Sequence, residues 1–373
     1  MIGIVGARGS GKSTLALQYF KLNYRSPEEC LYISVDNPLV LKRGFYSIAE
    51  EFFQYYGDTI IIDEVHKEEN WSLYIKALYD SFPKKKIIIS GSSMLNILNQ
   101  KGDLSRRLLL YNLPVLSFRE FLVMQVDKPI PIFSLQDILT RHTQISTDLL
   151  GQIPSILKYF RNYLQFGSFP FFKQHSSADY LSLLGNTLDK IIYEDIQTIR
   201  SLSNVSALKI KKLLAFLALS PIPTFNIETL KNEIEVSKDT LYEYIDLLER
   251  ANVIQIIRTK SKSIRGIKNA RIFFQSSNYY YSIAETFWKH TENRGNIRES
   301  FFASQLTYLH ELYASRDLDF ELRLEDKEIA IEIGGKNEKQ TQIKNIENAY
   351  IFKDGIEIGA GRTVPLYLAG LLY

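Results

Sequence analysis

The stretch GIVGARGSGKSTLALQYF, residues 3–20, constrains this chain more than any other. A short apolar run, IGIV, leads into a glycine-rich turn, and the turn leads into a helix-forming run, KSTLALQYFKLNY. Within it, Gly6 to Ser13 match G-x-x-x-x-G-K-[ST] in the context that gives the pattern meaning, a strand before and a helix after. Glycines at Gly6, Gly9 and Gly11 let the backbone curl so that successive N–H groups, with Arg8 and Ser10 between them, face one anion. The helix that follows aims its positive end at the same point. Lys12 is placed to reach the β- and γ-phosphates of a nucleotide, Ser13 to ligate Mg2+, and Thr14 to face the α-phosphate or the helix interior. A chain with this turn near its start is expected to be built on a parallel α/β sheet.

The next 100 or so residues repeat that grammar. CLYISVD, TIIIDE and KKKIIISGS read as further buried strands, and RRLLLYNLP as a fifth. LKRGFYSIAEEFFQYYG predicts one helix with an apolar face, and a second helix is expected over 71–82. Continuous apolar strands separated by helices predict a parallel sheet covered on both faces. TIIIDE delivers Asp63 and Glu64 at the C-terminal end of its strand, where open α/β sheets bind ligands. Asp63 is expected to hold Mg2+, and Glu64 to polarise an attacking water. KKIIISGSS ends in small hydroxyls. If its strand lies between the two that carry the phosphate turn and the acidic pair, Ser90 or Ser92 points at the γ-phosphate. Arg106 and Arg107, before the fifth strand, offer an arginine that could reach a neighbouring subunit's nucleotide, with Arg106 the first choice.

Beyond residue 125 the pattern changes. Residues 126–206 are mainly helical, with an aromatic corner at FGSFPFF and a long amphipathic segment, ADYLSLLGNTLDKIIYEDIQTIRSL. Residues 207–270 read as three helices and a strand, an order similar to a winged helix, with Ser237 capping the third helix. Residues 271–373 are mixed α and β, with two alternating strands around a tight turn at Glu325-Asp326. The would-be recognition helix carries Asp239, Glu243, Asp246 and Glu249, which repel DNA. RTKSKSIRGIKNAR, residues 258–271, holds six basic residues and no acid, which suits phosphate. DNA and protein both stay open as partners.

Composition narrows the rest. A length of 373 residues implies more than one domain, and 45% apolar against 23% charged residues is an ordinary globular balance. A net charge of +3 confines any nucleic-acid site to a local patch. Cys30 is the single cysteine, so no intrachain disulfide or thiolate-built metal site is expected. With no long apolar run and no signal segment, a cytoplasmic protein with no membrane contact is the expectation.

Phosphate turn, DEVHK, ISGSS, LSRR and LPVLSFREFL, in that order, resemble a prokaryotic group of AAA+ ATPases. Members of that group fuse the ATPase core to a C-terminal domain of unknown function that carries a winged helix and a restriction-endonuclease-like fold. EIGGKNEKQTQIKNIENAY and VPLYLAGLLY extend the resemblance through the end of the chain. The resemblance implies a P-loop NTPase core over 1–125, a helical region over 126–206, a winged-helix-like domain over 207–270 and a nuclease-like α/β domain over 271–373. It implies binding of ATP and Mg2+, hydrolysis through Glu64, and a homo-oligomer with Arg106 as a finger. Three departures stand out. Relatives carry some tens of residues before the first strand, with contacts to the adenine, so base recognition is the least specified part here. Gln275-Ser276-Ser277 stand where relatives have an acidic residue. Glu299, Asp319 and Glu332 can fill a nuclease's acidic places, but Gly334 stands in the lysine place and Lys336 is the nearest lysine, so an inactive nuclease scaffold is expected. A nucleotide-dependent switch with little turnover and an ATP-controlled metal nuclease are the alternatives. A small-molecule kinase suits the acidic pair less well.

Overall fold

The structure, a computed structural model, describes residues 1–91, 104, 106–198, 200–219, 227–260, 270–286, 293–337 and 340–373. They divide into two compact units. One comprises Met1–Pro114, Lys190–Leu202 and Arg250–Asn252; the other comprises Val115–Asp189, Ser203–Glu249 and Val253–Tyr373. The four stretches of sequence pattern thus fall into two units, and the first unit recruits a short piece from the middle of the chain.

In the first unit, β1 (Ile2–Val5), β2 (Cys30–Ser34), β3 (Thr59–Asp63), β4 (Lys86–Gly91) and β5 (Leu109–Asn112) form one sheet in the order β2-β3-β4-β1-β5. Every pairing in it is parallel. β4 does lie between β1 and β3, the position on which the Ser90 expectation depended.

β3 shows why these residues make a strand. All five of its residues are buried, and its side chains alternate between two apolar layers. Ile60 and Ile62 enter the larger layer with Phe45, Phe52, Trp71 and Ile75, from the helices α3 (Phe45–Tyr55) and α4 (Trp71–Ser81). Ile61 points the other way, onto Ala16 and Phe20 of α1 (Lys12–Asn23) and onto Cys30. Each isoleucine so buried contributes roughly 1.5–3 kcal/mol. An edge strand needs no such composition, and β5 is accordingly mostly exposed.

One expected helix is two. Over 41–57 the structure has the end of α2 (Pro38–Arg43) and then α3, broken at Gly44, whose φ of 82° a helix cannot contain. The Asn37 side chain caps α2 by accepting from the Leu39 N–H at 2.9 Å, and Pro38 opens it.

The second unit opens with the helix Phe118–Val126, fixed by a capping box between Ser117 and Glu120. The aromatic corner is a buried turn: Phe169 is fully buried, and its ring packs edge-on against Tyr279. Three helices, Asn204–Leu219, Ile227–Ile234 and Lys238–Arg250, precede an antiparallel pair, β6 (Ile254–Ile257) with β7 (Arg271–Phe274). Ser237 caps the third of these helices through the Thr240 N–H at 3.1 Å. A mixed sheet follows, in which β8 (Leu312–Ala314), β9 (Phe320–Leu324), β10 (Lys327–Gly334), β11 (Ala349–Lys353) and β12 (Thr363–Pro365) lie in the order β12-β11-β10-β9-β8. In it β9 and β10 form the expected hairpin, with Glu325 at φ 53° in the turn.

No helix among the described residues is long and apolar enough to cross a membrane.

Candidate nucleotide site and the carboxylates of the second unit

The glycine-rich turn lies between β1 and α1, at the C-terminal edge of the parallel sheet. Gly6 and Gly11 are buried or half-buried, and both have positive φ, 153° and 99°. At Gly6 a Cβ would run into the Leu113 carbonyl oxygen, so only glycine fits. α1 starts with no side-chain cap and no acid in its first turn, which leaves its N–H groups and the positive end of its dipole facing the turn. Ser10 Oγ is buried and has no hydrogen-bond partner among the described residues. A buried hydroxyl so placed is costly unless a ligand satisfies it. Lys12 is buried, and its Nζ donates to the carbonyls of Gly6 at 3.1 Å and Ala7 at 2.9 Å. Burial pulls its pKa down, opposed by Glu64 and Asp63. Thr14 is exposed, and Gly9 is exposed at the turn's outer side.

Asp63, at the end of β3, collects the site. Its Oδ2 accepts from the Tyr32 hydroxyl at 2.7 Å and its Oδ1 from the Glu64 N–H at 3.0 Å. Ser90 Oγ from β4 donates to the same carboxylate, and Ser13 at the start of α1 helps to stabilise its charge. Burial would push the Asp63 carboxyl up. The donors from Ser13, Ser90, Tyr32 and the Glu64 N–H outweigh it and hold the pKa below the usual carboxylate range. Ser13 and Asp63 are the two residues expected to ligate Mg2+, and Ser13 acts on the Asp63 carboxylate. Their hard oxygen donors fit Mg2+, which commonly takes one or two carboxylates and completes its shell with phosphate and water.

Glu64 follows in left-handed backbone, φ 52°, a conformation that costs a non-glycine residue on the order of 1–3 kcal/mol. Such strain is characteristic of sites where a side chain must be aimed. Burial, then the neighbouring Asp63, raises its pKa, while Lys12 and Arg8 oppose the rise. His66 is buried beside it, its Nε2 3.5 Å from Glu64 Oε2, and burial drives the imidazole down to about 3, so it is neutral.

Arg8, expected among the phosphate-binding residues, is held from elsewhere in the chain. Its Nη1 donates to Asp195 Oδ1 at 2.8 Å, and its Nη2 lies 3.7 Å from Glu194 Oε2. Lys67 Nζ is 3.8 Å from the same Glu194 oxygen. Tyr32 and Asp195 are the site residues that sequence reasoning missed. Tyr32 had a signal, a hydroxyl on a strand that pairs with β3. Asp195 had none.

Arg106 is exposed, while Arg107 is paired with Asp80 at 2.9 Å. Ser92, the alternative to Ser90, lies outside the described residues.

In the second unit the three nuclease-like carboxylates do not fit a divalent metal. The Arg271 guanidinium stands between two of them, donating to Glu299 Oε2 at 2.8 Å and Asp319 Oδ1 at 2.7 Å. Asp319 Oδ2 also accepts from the Ile333 N–H at 2.8 Å. Glu332 is half-buried on β10, and Lys336 is exposed beyond the strand's end. No group of three or more His, Cys, Asp or Glu residues that could hold a metal occurs among the described residues. The basic stretch 258–271 is only partly described, and each of its described cations is bound to acid: Arg258 to Glu249, Lys260 to Glu328, and Arg271 as above.

Residues 1–122 match the family model of an AAA domain, and residues 157–277 match that of a domain of unknown function, DUF8612. The first unit is accordingly an α/β P-loop core of AAA type, and a domain of unknown function follows it. Over 266 residues the chain is 30% identical to the uncharacterized protein MJ1637 of Methanocaldococcus jannaschii, covering 68% of this chain and 56% of that protein. The chain thus spans little more than half the length of that relative. Solved structures with some likeness include the Aeropyrum pernix ORC1 protein in complex with DNA, 11% identical over 76% of this chain and 86% of that one, TM-score 0.29. AMPPCP-bound DnaA from Aquifex aeolicus is 17% identical over 66% and 81%, TM-score 0.24. At those scores neither likeness bears on what this chain does.

Proposed function

We propose that the first unit binds ATP with Mg2+ and hydrolyses it. The observation that carries this reading is the meeting at Asp63 of Ser90 from β4 and Tyr32 from β2, with Ser13 of the phosphate turn stabilising the same carboxylate. Three elements converge on one carboxylate whose charge they stabilise, beside a helix N-terminus that is open to anions.

The turn from Gly6 to Thr14 cradles the phosphates through its N–H groups, and Ser10 Oγ gains the partner it lacks within the described residues. Lys12 Nζ leaves the Gly6 and Ala7 carbonyls for phosphate oxygen. Ser13 and Asp63 would hold Mg2+, which supplies charge neutralisation along the triphosphate. Glu64, with neutral His66 beside it, orients the water and accepts its proton, and its raised pKa makes it a competent base. Ser90 keeps Asp63 aimed. Exposed Arg106 suits a finger donated to a neighbouring copy, which makes the working form a homo-oligomer.

The three helices and the β6–β7 pair support a winged-helix reading of that region, used toward a protein partner in preference to DNA. The described cations of 258–271 are already neutralised, and the helix Lys238–Arg250 displays acid. Equilibrium titration with a fluorescent ATP tests the base of this reading. The wild-type chain binds, and Lys12→Ala does not; a chain that binds no nucleotide overturns it.

A further inference from the structure

The AAA match ends at residue 122, yet two side chains that hold a residue of the phosphate turn come from 72 and more residues further on. We infer that Asp195, with Glu194 beside it, is a positioning residue of the nucleotide site, and that it aims the Arg8 guanidinium at the terminal phosphate of a nucleoside triphosphate. The inference rests on the nucleotide-binding reading above and adds to it a residue from outside the matched domain.

Three observations support it. The carboxylate is built in: Asp195 is 3% exposed and lies on one wide turn of π-helix, Ile191–Asp195, where the Ile196 N–H reaches back to the Ile191 carbonyl. Such turns are rare and concentrate at functional sites. The arginine is only partly engaged: its side chain is 24% exposed, and Asp195 takes a single close hydrogen bond from a group with five donors. A guanidinium anchored along one edge keeps another for an oxyanion, which is how planar, bidentate recognition of phosphate works. Its charge also reaches the catalytic groups, since Arg8 and Asp195 both act electrostatically on Lys12 and on Glu64. In the reading proposed above, those two groups serve the β- and γ-phosphates and the attacking water.

The pairing has a consequence for charge. A buried carboxylate this close to a triphosphate repels it unless neutralised, and Arg8 neutralises it. Removing Asp195 alone leaves the arginine in place with Glu194, at 3.7 Å, against it. Removing the arginine alone leaves an acid facing the phosphates, with Lys67 bound through Glu194 as the nearest other cation described there.

The test measures preference for triphosphate over diphosphate and needs no turnover. Affinities of the full-length chain for AMPPNP and for ADP, both with Mg2+, are compared for wild type, Asp195→Asn, Arg8→Ala and the double variant. The ratio of the two affinities should fall about tenfold in each single variant, with ADP affinity changed less than about threefold. The double variant should be no worse than Arg8→Ala, because residues acting as one unit are not additive. Arg8→Lys should recover only part of the ratio, since lysine is a point charge. A thermal melt of each variant accompanies the titration. Loss of melting temperature with an unchanged ratio overturns the inference and makes the pair a structural strut. Additive losses in the double variant also overturn it, because Asp195 then does not act through Arg8. Failure of the underlying reading looks different: wild type then binds neither nucleotide.

Discussion

Replacing Arg271 by leucine tests the assignment of the second unit's carboxylates. The variant keeps an apolar stem against the Phe320 ring, over which the guanidinium now lies 5.7 Å from the centroid, and deletes the cation. Two charge-assisted hydrogen bonds go, at 2.8 and 2.7 Å, with a third to the Leu318 carbonyl at 3.1 Å. Side-chain exposures of 19%, 16% and 14% for Arg271, Glu299 and Asp319 place the group well inside the surface. Breaking a buried pair by removing one partner costs about 3–5 kcal/mol, because it strands like charges out of water. The pH dependence has a definite sign. Glu299 is raised by burial and then by Asp319, against Arg271. A carboxyl with a raised folded pKa contributes stability that is present below its unfolded pKa, near 4.5, and lost as pH rises through the folded value. Without Arg271 that rise grows, each further unit being worth about 1.4 kcal/mol. The variant's loss should therefore be full at pH 8 and smaller by about 1–2 kcal/mol at pH 5.5. Hydrogen exchange of the β9 and β10 amides in the full chain, followed against urea, reads this unit by itself. A loss below about 1 kcal/mol at pH 8, or one that grows on acidification, would refute the ion-triad account.

Other perturbations address the first unit. Tyr32→Phe removes one donor from Asp63 and should raise the Mg2+ concentration for half-maximal hydrolysis about tenfold, the equivalent of a charge-assisted bond of about 1.5 kcal/mol, with the fold intact by circular dichroism. Gly6→Ala sets a methyl against the Leu113 carbonyl at a positive φ; it should lower the melting temperature and abolish measurable nucleotide binding in the same titration used for Lys12→Ala. Arg106→Ala should bind ATP normally but turn over at least about 100-fold more slowly, with activity restored on mixing with subunits that lack Glu64 but keep Arg106. Unchanged turnover would remove the finger from the scheme.

Much of the first unit was legible in order because its signals are local. Buried parallel strands have no solvent face, so TIIID and KIIISG declare themselves by continuous apolar runs. The phosphate turn is read from glycines whose positive φ values the structure then requires. Reading one helix across Gly44 went wrong because periodicity continues through it. The break lies in a single backbone angle, and the apolar faces on either side agree. Asp195 and Arg271 were illegible for a different reason. Each acts on a partner far away in sequence, Arg8 for one and Glu299 with Asp319 for the other, and neither belongs to a motif. The inactive scaffold is expected from Gly334 in the lysine place; the cation that the fold inserts between Glu299 and Asp319 was not legible. In the basic run at 258–271 composition likewise shows charge but not the acids that other segments bring to its described cations.

The central claim is that Glu64, strained beside Asp63, prepares a water for attack on ATP. Single-turnover hydrolysis of radiolabelled ATP by Glu64→Gln, with binding measured on the same samples, tests it most directly. The account predicts ATP bound with near wild-type affinity and cleaved at least about 100-fold more slowly, within the range for loss of a general base. Cleavage at the wild-type rate by that variant would contradict it.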